Sequence, residues 1–169
     1  STVGNTVNYT YGGSQVVRDI QYHSLGLGGS GSKTLPVALT HLTGNFSVGD
    51  AATVATVADL DIDGNLSISG SAVLTVNGFN FNVDGSTAIN GTSTYVNGKL
   101  LFNSVSGTKS FGGLITIGKY GIWDNTIGVP VALGGGLSFS SVKPFVAGSG
   151  LYTFQGAASQ SIGGTYTLT

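Results

Sequence analysis

The densest group of ionisable side chains is the run Asp59-Leu60-Asp61-Ile62-Asp63-Gly64. It matches the start of an EF-hand loop, in which alternating carboxylates bind Ca²⁺, but Gly70 stands where a bidentate Glu would close the loop. An EF-hand is therefore excluded. In a β-strand, Leu60 and Ile62 would face inward while the three carboxylates face water.

The same aspartates acquire neighbours when the chain is aligned on Gly64 and Gly85. The aligned pairs are Asp59 with Asn80, Asp61 with Asn82, and Asp63 with Asp84. Two carboxylates side by side repel each other unless a cation bridges them. Two interpretations stay open: a weak extracellular Ca²⁺ site formed by Asp59, Asp61, Asp63 and Asp84, or a solvated acidic surface. No other cofactor is expected.

Catalytic chemistry has few candidate residues. His23 and His41 alternate with apolar neighbours and should point to solvent, and no Gly-x-Ser-x-Gly elbow supports a Ser-His-Asp triad. A carbohydrate-active enzyme would need clustered carboxylates or a cationic base beside a groove. Arg18 is the one arginine and the lysines are scattered. We therefore predict that the chain is not an enzyme, and keep a carbohydrate-active enzyme as a minor alternative.

Exposed aromatic rings could instead stack on sugars. Tyr120 and Trp123 are the candidate ligand-binding residues, because they follow a predicted strand at a corner or loop. A second feature is a column of outward hydroxyls: Ser47, Ser67, Thr116, Ser138 and Thr167, with Ala88 among them. It predicts ordinary solvated β-surface rather than an ice-binding face, since the column is mostly serine and is interrupted.

Composition limits the fold that must position these residues. The 169 residues include 29 glycines, seven Asp, six Lys or Arg, no glutamate and no cysteine, with a net charge of −1. Helix-forming surface residues are nearly absent, and nothing resembles a basic nucleic-acid surface or a membrane-spanning helix. Without cysteine, disulfides and thiolate metal sites are excluded. The chain does not begin with Met, which is expected of a processed, secreted protein.

A short repeat gives the architecture. The pattern is a glycine followed by alternating core and small polar residues, and it begins at Gly44, Gly64, Gly85, Gly113, Gly135 and Gly164. The intervals are 20, 21, 28, 22 and 29 residues, too long for plain hairpins but suited to one coil of a parallel β-solenoid. Single glycines then mark corners, where no Cβ is tolerated. The longer intervals would be coils with a loop pushed outward, within residues 96–106 or 143–149.

The sequence thus predicts one all-β domain over residues 1–169, a right-handed parallel solenoid of about six to eight coils. The alternative is a β-sandwich or jelly roll, which also has short strands at regular spacing. The predicted core consists of Phe46, Val48, Leu66, Ile68, Ile89, Ile115, Ile117, Leu137 and Phe139.

A longer repeat links the two ends. Residues 7–17 resemble residues 150–162, with Ser14 matching Ser159, as if one unit of an array were followed by the start of the next. Neither end carries a charged or proline-rich cap, which solenoids need to prevent end-to-end association. The predicted assembly surface is therefore Val7, Tyr9 and Tyr11 at one end and Tyr152, Phe154, Ile162, Tyr166 and Leu168 at the other.

Several phrases resemble a known group of proteins: Gly-Ser-Gly-Ser-Lys-Thr-Leu (29–35), Gly-Asn-Leu-Ser-Ile-Ser (64–69), Ser-Gly-Thr-Lys-Ser-Phe-Gly-Gly (106–113) and residues 150–164. They are similar to repeats of large surface and secreted proteins of Bacteroidetes-type bacteria, often exported by the type IX system. The resemblance covers the chain from about Asn5 onward and implies an extracellular or cell-surface adhesin or filament. It implies no catalytic residue. The expected partners are further copies or repeats of the chain and surface glycans, with no nucleic acid and no membrane insertion.

Overall fold

The computed structural model describes residues 4–140, 142 and 145–164, and every regular element in these ranges is a β-strand. The twenty-one strands described, numbered in chain order, form three sheets. Sheet 1 contains β1 (Thr6–Tyr9), β3 (Ser24–Leu27), β6 (Phe46–Val48), β9 (Leu66–Ile68), β12 (Thr87–Ile89), β15 (Ile115–Ile117), β18 (Leu137–Phe139) and β21 (Ile162–Gly164). Sheet 2 contains β2 (Gln15–Val16), β4 (Ser30–Thr34), β7 (Ala51–Ala55), β10 (Val73–Val76), β13 (Lys99–Phe102), β16 (Ile122–Asp124) and β19 (Phe145–Val146). Sheet 3 contains β5 (His41–Leu42), β8 (Leu60–Ile62), β11 (Phe81–Val83), β14 (Lys109–Phe111), β17 (Val131–Leu133) and β20 (Tyr152–Phe154).

The chain visits the three sheets in rotation, so each full coil adds one strand to each sheet. In the first coil Tyr22 supplies the sheet 3 position through a parallel bridge to Leu42. All ladders between the named strands are parallel, as in β6 with β9 and in β11 with β14. The fold is the predicted parallel β-solenoid, with about seven coils, and the antiparallel sandwich is wrong.

The predicted coil lengths are confirmed through most of the chain. Phe46 pairs with Leu66, Leu66 with Thr87, Thr87 with Ile115 and Ile115 with Leu137, which gives 20, 21, 28 and 22 residues. The last predicted interval is wrong, because Leu137 pairs with Ile162 after 25 residues and Gly164 ends β21 instead of opening a repeat. Residues 165–169, with Tyr166, Thr167 and Leu168, lie outside the described part of the chain.

The core consists of side-chain columns that run along the solenoid. The sheet 1 strands β6, β9, β12, β15 and β18 bury their first and third residues, and all nine predicted core residues are buried. The outward column of Ser47, Ser67, Ala88, Thr116 and Ser138 is confirmed by the same register. Thr87 departs from the apolar pattern, because it is buried with a hydroxyl that has no hydrogen-bond partner.

Glycines stack at the corner between sheets 3 and 1. A Cβ on Gly85 would lie 2.4 Å from the carbonyl oxygen of Gly64, and one on Gly113 would lie 2.6 Å from the carbonyl carbon of Gly85. Neither Gly85 nor Gly113 has a positive φ. Glycine is therefore required here by the close approach of consecutive coils, rather than by an unusual backbone conformation.

The long coil is extended mainly before the predicted segment of residues 96–106, which it overlaps only in part. Between β12 and β13 the chain inserts residues 90–98, which fold back so that the Thr92 N–H donates to the Val96 carbonyl at 2.9 Å. The next corner, residues 103–108, is only slightly longer than its counterparts at residues 77–80 and 56–59. A helix able to cross a bilayer is not found within the described ranges.

Candidate functional site

Ionisable groups gather on the outer face of sheet 3. His41 of β5 lies beside Asp61 of β8, which in turn lies beside Asn82 of β11. Asp63 follows β8, and its Oδ1 lies 2.8 Å from Nε2 of His41. One ligand atom from each of His41, Asp61 and Asp63 lies within 4.8 Å of the others. We call these three residues the imidazole–carboxylate cluster.

Amide groups separate the remaining carboxylates. Nδ2 of Asn82 donates to Oδ1 of Asp61 and to Oδ1 of Asp84, each at 2.7 Å. On the neighbouring column, Nδ2 of Asn80 donates to Oδ2 of Asp59 at 2.9 Å. The Asn82 amide therefore offsets the repulsion between Asp61 and Asp84, whereas Asp63 is bonded to His41.

The neighbours of His41 favour its protonated form. The hydrogen bond with Asp63 raises the pKa of His41 above its ordinary value, and the charges of Asp61 and Asp84 act in the same direction. The side chains of His41 and Asp63 are both nearly half exposed. An ion pair this exposed is weak and is screened by salt.

The four aspartates predicted to bind Ca²⁺ do not share one place. Asp61 and Asp63 lie with His41, while Asp59 pairs with Asn80 and Asp84 with Asn82. Ca²⁺ prefers six to eight oxygen ligands, whereas a mixed imidazole and carboxylate set suits transition metals. The Ca²⁺ site over Asp59, Asp61, Asp63 and Asp84 stays a prediction, and of these four only Asp61 and Asp63 belong to the grouped ligand atoms.

An open groove of about 450 Å³ lies beside the cluster at the N-terminal end of the solenoid. Its walls include Asp19, Gln21, Thr40, His41 and Thr43. Nδ1 of His23 lies 3.0 Å from Oγ1 of Thr43, so the second histidine borders the same region. Both histidines face outward, as predicted.

The aromatic candidates have different outcomes. Trp123 is fully buried, and its ring lies 5.0 Å from Phe102 and 5.7 Å from Phe145. The prediction that Trp123 binds a ligand is wrong, because β16 turns the indole into the core. Tyr120 is half-buried, and Nζ of Lys119 lies 5.3 Å from its ring centroid.

The predicted assembly residues lie at the two ends of the described solenoid. Val7 and Tyr9 belong to β1, the edge strand of sheet 1, and Tyr11 is exposed at the following corner. Tyr152 and Phe154 belong to β20, the C-terminal edge strand of sheet 3. Ile162 belongs to β21, the other edge strand of sheet 1.

Hydroxyl networks fix the tyrosines at both ends. The Tyr22 hydroxyl donates to the Arg18 carbonyl at 2.6 Å and lies 2.8 Å from the Tyr9 hydroxyl. At the other end, the Tyr152 hydroxyl accepts from Nε1 of Trp123 at 2.9 Å and from Nδ2 of Asn125 at 3.0 Å. Burial raises the pKa of both Tyr22 and Tyr152.

The similar terminal segments do not occupy equivalent places. Tyr9 lies in sheet 1, whereas its counterpart Tyr152 lies in sheet 3. A continuous array in register with this repeat would place both tyrosines on the same sheet. The repeat therefore does not define the register between successive units.

Two buried lysines were missed by the sequence reasoning. Nζ of Lys33 donates to the Tyr11 and Gly13 carbonyls, each at 2.7 Å, and Nζ of Lys109 donates to the Phe79 carbonyl at 2.7 Å and to the Ser106 carbonyl at 2.8 Å. Burial lowers the pKa of Lys109. The available signal was a repeated phrase, Ser-Gly-Ser-Lys-Thr at 30–34 and Ser-Gly-Thr-Lys-Ser at 106–110, whose glycines have positive φ. In both copies the buried ammonium donates hydrogen bonds to backbone carbonyls of a corner, and these bonds hold the corner against the core.

No protein-family model, curated protein or solved structure matches this chain.

Proposed function

We propose that this chain is a structural and adhesive protein of the cell surface or extracellular space. Its coils form a rigid rod that continues end to end into a neighbouring solenoid. The observation that carries this proposal is that the core columns are open at both ends of the described solenoid. The extracellular placement is supported by the resemblance of its repeats to those of secreted surface proteins.

The open columns are clearest at the C-terminal end. Ile162 continues the column of Leu137, and Phe154 continues that of Leu133, yet these end residues are 52% and 39% exposed. Leu137 and Leu133 are almost fully buried. Within the described residues no further coil lies over these inward-facing apolar side chains, and covering them is favourable by about 25 cal/mol per Å².

The inward columns at the N-terminal end are also incompletely covered. Val7 lies in the column of Leu25, and Tyr9 in that of Leu27, but both end residues are only half-buried. The end strands β1, β2, β19, β20 and β21 contain no charged residue. Soluble proteins usually protect such edges with charge, proline or a covering segment. These ends are therefore suited to pairing with another parallel coil.

Side-chain ladders make the coils resist separation. Oδ1 of Asn45 accepts the Asn65 N–H at 2.8 Å, and Oδ1 of Asn65 accepts the Ser86 N–H at 2.8 Å. Each side chain bonds to the backbone of the next coil. Shifting one coil by one residue against its neighbour would therefore break all of these hydrogen bonds. This rigidity supports a mechanical role.

The proposal is tested by measuring the mass of the purified chain over a wide range of concentrations, together with negative-stain electron microscopy. We expect reversible association into unbranched filaments. Phe154→Lys should abolish association, because the charge would lie in the end-to-end contact. Thr153→Lys is the matched control, since it changes the adjacent, outward residue of the same strand. A chain that stays monomeric at every concentration contradicts the proposal, as does association unaffected by Phe154→Lys.

A glycan-binding adhesin is a second candidate, favoured by the loop at residues 90–98. Tyr95 in this loop is 93% exposed, and Gly91 packs closely on Tyr120. Exposed tyrosine rings stack on sugars. Binding on a glycan array that is lost in Tyr95→Ala and kept in Tyr11→Ala, another exposed tyrosine, would support this role. An array without binding would contradict it.

A further inference from the structure

The ladder between β5 and β8 places three side chains that can bind a metal on one face. His41 and Asp61 are direct partners in this ladder, and Asp63 follows Asp61 on the same outward face of sheet 3. The Asp61 N–H donates to the Thr40 carbonyl at 2.9 Å, and the Asp63 N–H donates to the Leu42 carbonyl at 3.0 Å. Two paired coils therefore fix the backbones of all three residues, and a site built on strands is more precise than one built on loops.

The next coil orients one of the carboxylates from outside the cluster. Asn82 of β11 is the ladder partner of Asp61, and its Nδ2 donates to Oδ1 of Asp61 at 2.7 Å. The same nitrogen donates to Oδ1 of Asp84 at 2.7 Å, which holds the amide in one orientation. Outer partners of this kind fix the ligand carboxylates of metal sites. Three successive coils, with strands β5, β8 and β11, thus position the cluster and its support.

An ordinary ion pair does not account for the whole cluster. An ion pair needs one carboxylate, whereas ligand atoms of two carboxylates and one imidazole lie within 4.8 Å of one another here. Two carboxylates around one imidazole leave an excess of negative charge, which a divalent cation would neutralise. The other exposed histidine provides a contrast, because Nδ1 of His23 lies 3.0 Å from the hydroxyl oxygen of Thr43 and His23 is not part of the cluster.

The spacing of the ligand atoms fits Zn²⁺ after small side-chain rotations. Tetrahedral Zn²⁺ with bonds of about 2.0–2.2 Å places its ligand atoms about 3.4 Å apart. Nε2 of His41 and Oδ1 of Asp63 lie 2.8 Å apart, and separations of up to 4.8 Å in the cluster must close by no more than about 1.4 Å. The side chains of His41 and Asp63 are nearly half exposed, so they have room to move. To bind the ion, Nε2 gives up its hydrogen bond with Asp63, and the neutral imidazole then carries its hydrogen on Nδ1.

We propose that His41, Asp61 and Asp63 bind one divalent transition-metal ion of the Zn²⁺ class. An imidazole nitrogen with carboxylate oxygens suits such metals, whereas Ca²⁺ takes six to eight oxygen ligands. The ion joins β5 to β8 and so stabilises the contact between two coils as its concentration rises. Three protein ligands leave a fourth position open to solvent, where water or a donor group of another molecule binds. This inference is independent of the proposed end-to-end rod.

Isothermal titration calorimetry of the chain, without an affinity tag, against zinc chloride tests this site. We expect one ion per chain, and binding at least about tenfold weaker in His41→Gln and in Asp63→Asn. The matched controls are His23→Gln and Asp59→Asn, which change the other histidine and a carboxylate outside the cluster. Both controls should bind Zn²⁺ like the wild type, and far-UV circular dichroism should show that all four variants are folded.

A second measurement reports on the ligand itself. The chain has two histidines, so its imidazole NMR spectrum contains two sets of ring signals. Zn²⁺ should shift the signals of His41 and leave those of His23 in place. No Zn²⁺ binding, equal shifts of both histidines, or unchanged binding in His41→Gln would mean an adventitious ion only and would overturn the proposal. Ca²⁺ binding that is at least as tight as Zn²⁺ binding and is lost in Asp59→Asn would also overturn it, in favour of the all-oxygen site that the sequence predicts.

Discussion

The stacked glycines allow a sharp test of the solenoid geometry through Gly85→Ala. The new Cβ would lie 2.4 Å from the Gly64 carbonyl oxygen, which is also the acceptor of the Gly85 N–H at 3.0 Å. Ordinary contacts begin at 3.4 Å, so two coils must separate locally by about 1 Å. The obstructing atom belongs to the backbone, and it cannot rotate away.

The magnitude follows from three effects. Overpacking costs about 1–3 kcal/mol, and the weakened hydrogen bond adds about 1 kcal/mol. The reduced entropy of the unfolded chain returns about 0.4–1 kcal/mol. We expect Gly85→Ala to lower the free energy of unfolding by about 1–3 kcal/mol, and the melting temperature by roughly 3–10 °C.

The assay is denaturant and thermal unfolding followed by far-UV circular dichroism, with Gly49→Ala as the control. A Cβ on Gly49 would meet only the Ser69 hydroxyl at 3.3 Å, and that side chain can turn away. Gly49→Ala should therefore be neutral or stabilise by up to about 1 kcal/mol. Equal stabilities of the two variants would refute the conclusion that coil-to-coil contact selects glycine at position 85.

Three further changes test other parts of the structure. Trp123→Ala should lower the free energy of unfolding by about 3–5 kcal/mol, because it empties a buried aromatic cluster, and a change within measurement error would show that the indole is not buried. His41→Gln should remove a pH dependence that chemical denaturation can follow. Since the folded-state pKa of His41 is raised, the stabilisation is complete below about pH 6.5 and is lost as the pH rises through the folded-state value, with a size of less than about 1 kcal/mol for so exposed a pair. A wild-type chain with the same pH profile as His41→Gln would contradict the contact with Asp63. Lys109→Ala should destabilise by about 1–3 kcal/mol per carbonyl left without a donor, whereas Lys119→Ala, which removes an exposed contact with the Tyr120 ring, should cost less than about 1 kcal/mol, and similar effects of the two on the midpoint of urea unfolding would argue against the buried ammonium.

The amino-acid sequence determined the class of fold and most of the coil register. Alternation of apolar and small polar residues is a local property of a strand, and glycines recur wherever two coils approach closely. These signals placed Phe46, Leu66 and Ile115 in one inward column before any contact was known. The prediction failed in the last coil, because Gly163 and Gly164 carry no side chains to define an inward face.

The tertiary structure alone decided which residues from different coils meet. The sequence allows an aromatic residue such as Trp123 either to bind a ligand or to lie in the core. Its burial follows from the register that places it between Leu100 and Phe145. His41 meets Asp63 because one turn of 20 residues brings Asp61 beside His41 and so places Asp63 next to β5. The length of each corner decides which residue of the next coil lies beside a given residue. Corner lengths depend on the packing of the whole coil rather than on residues that are neighbours in the sequence. The sequence therefore determined which faces are inward, and the closure of each coil decided what those faces contact.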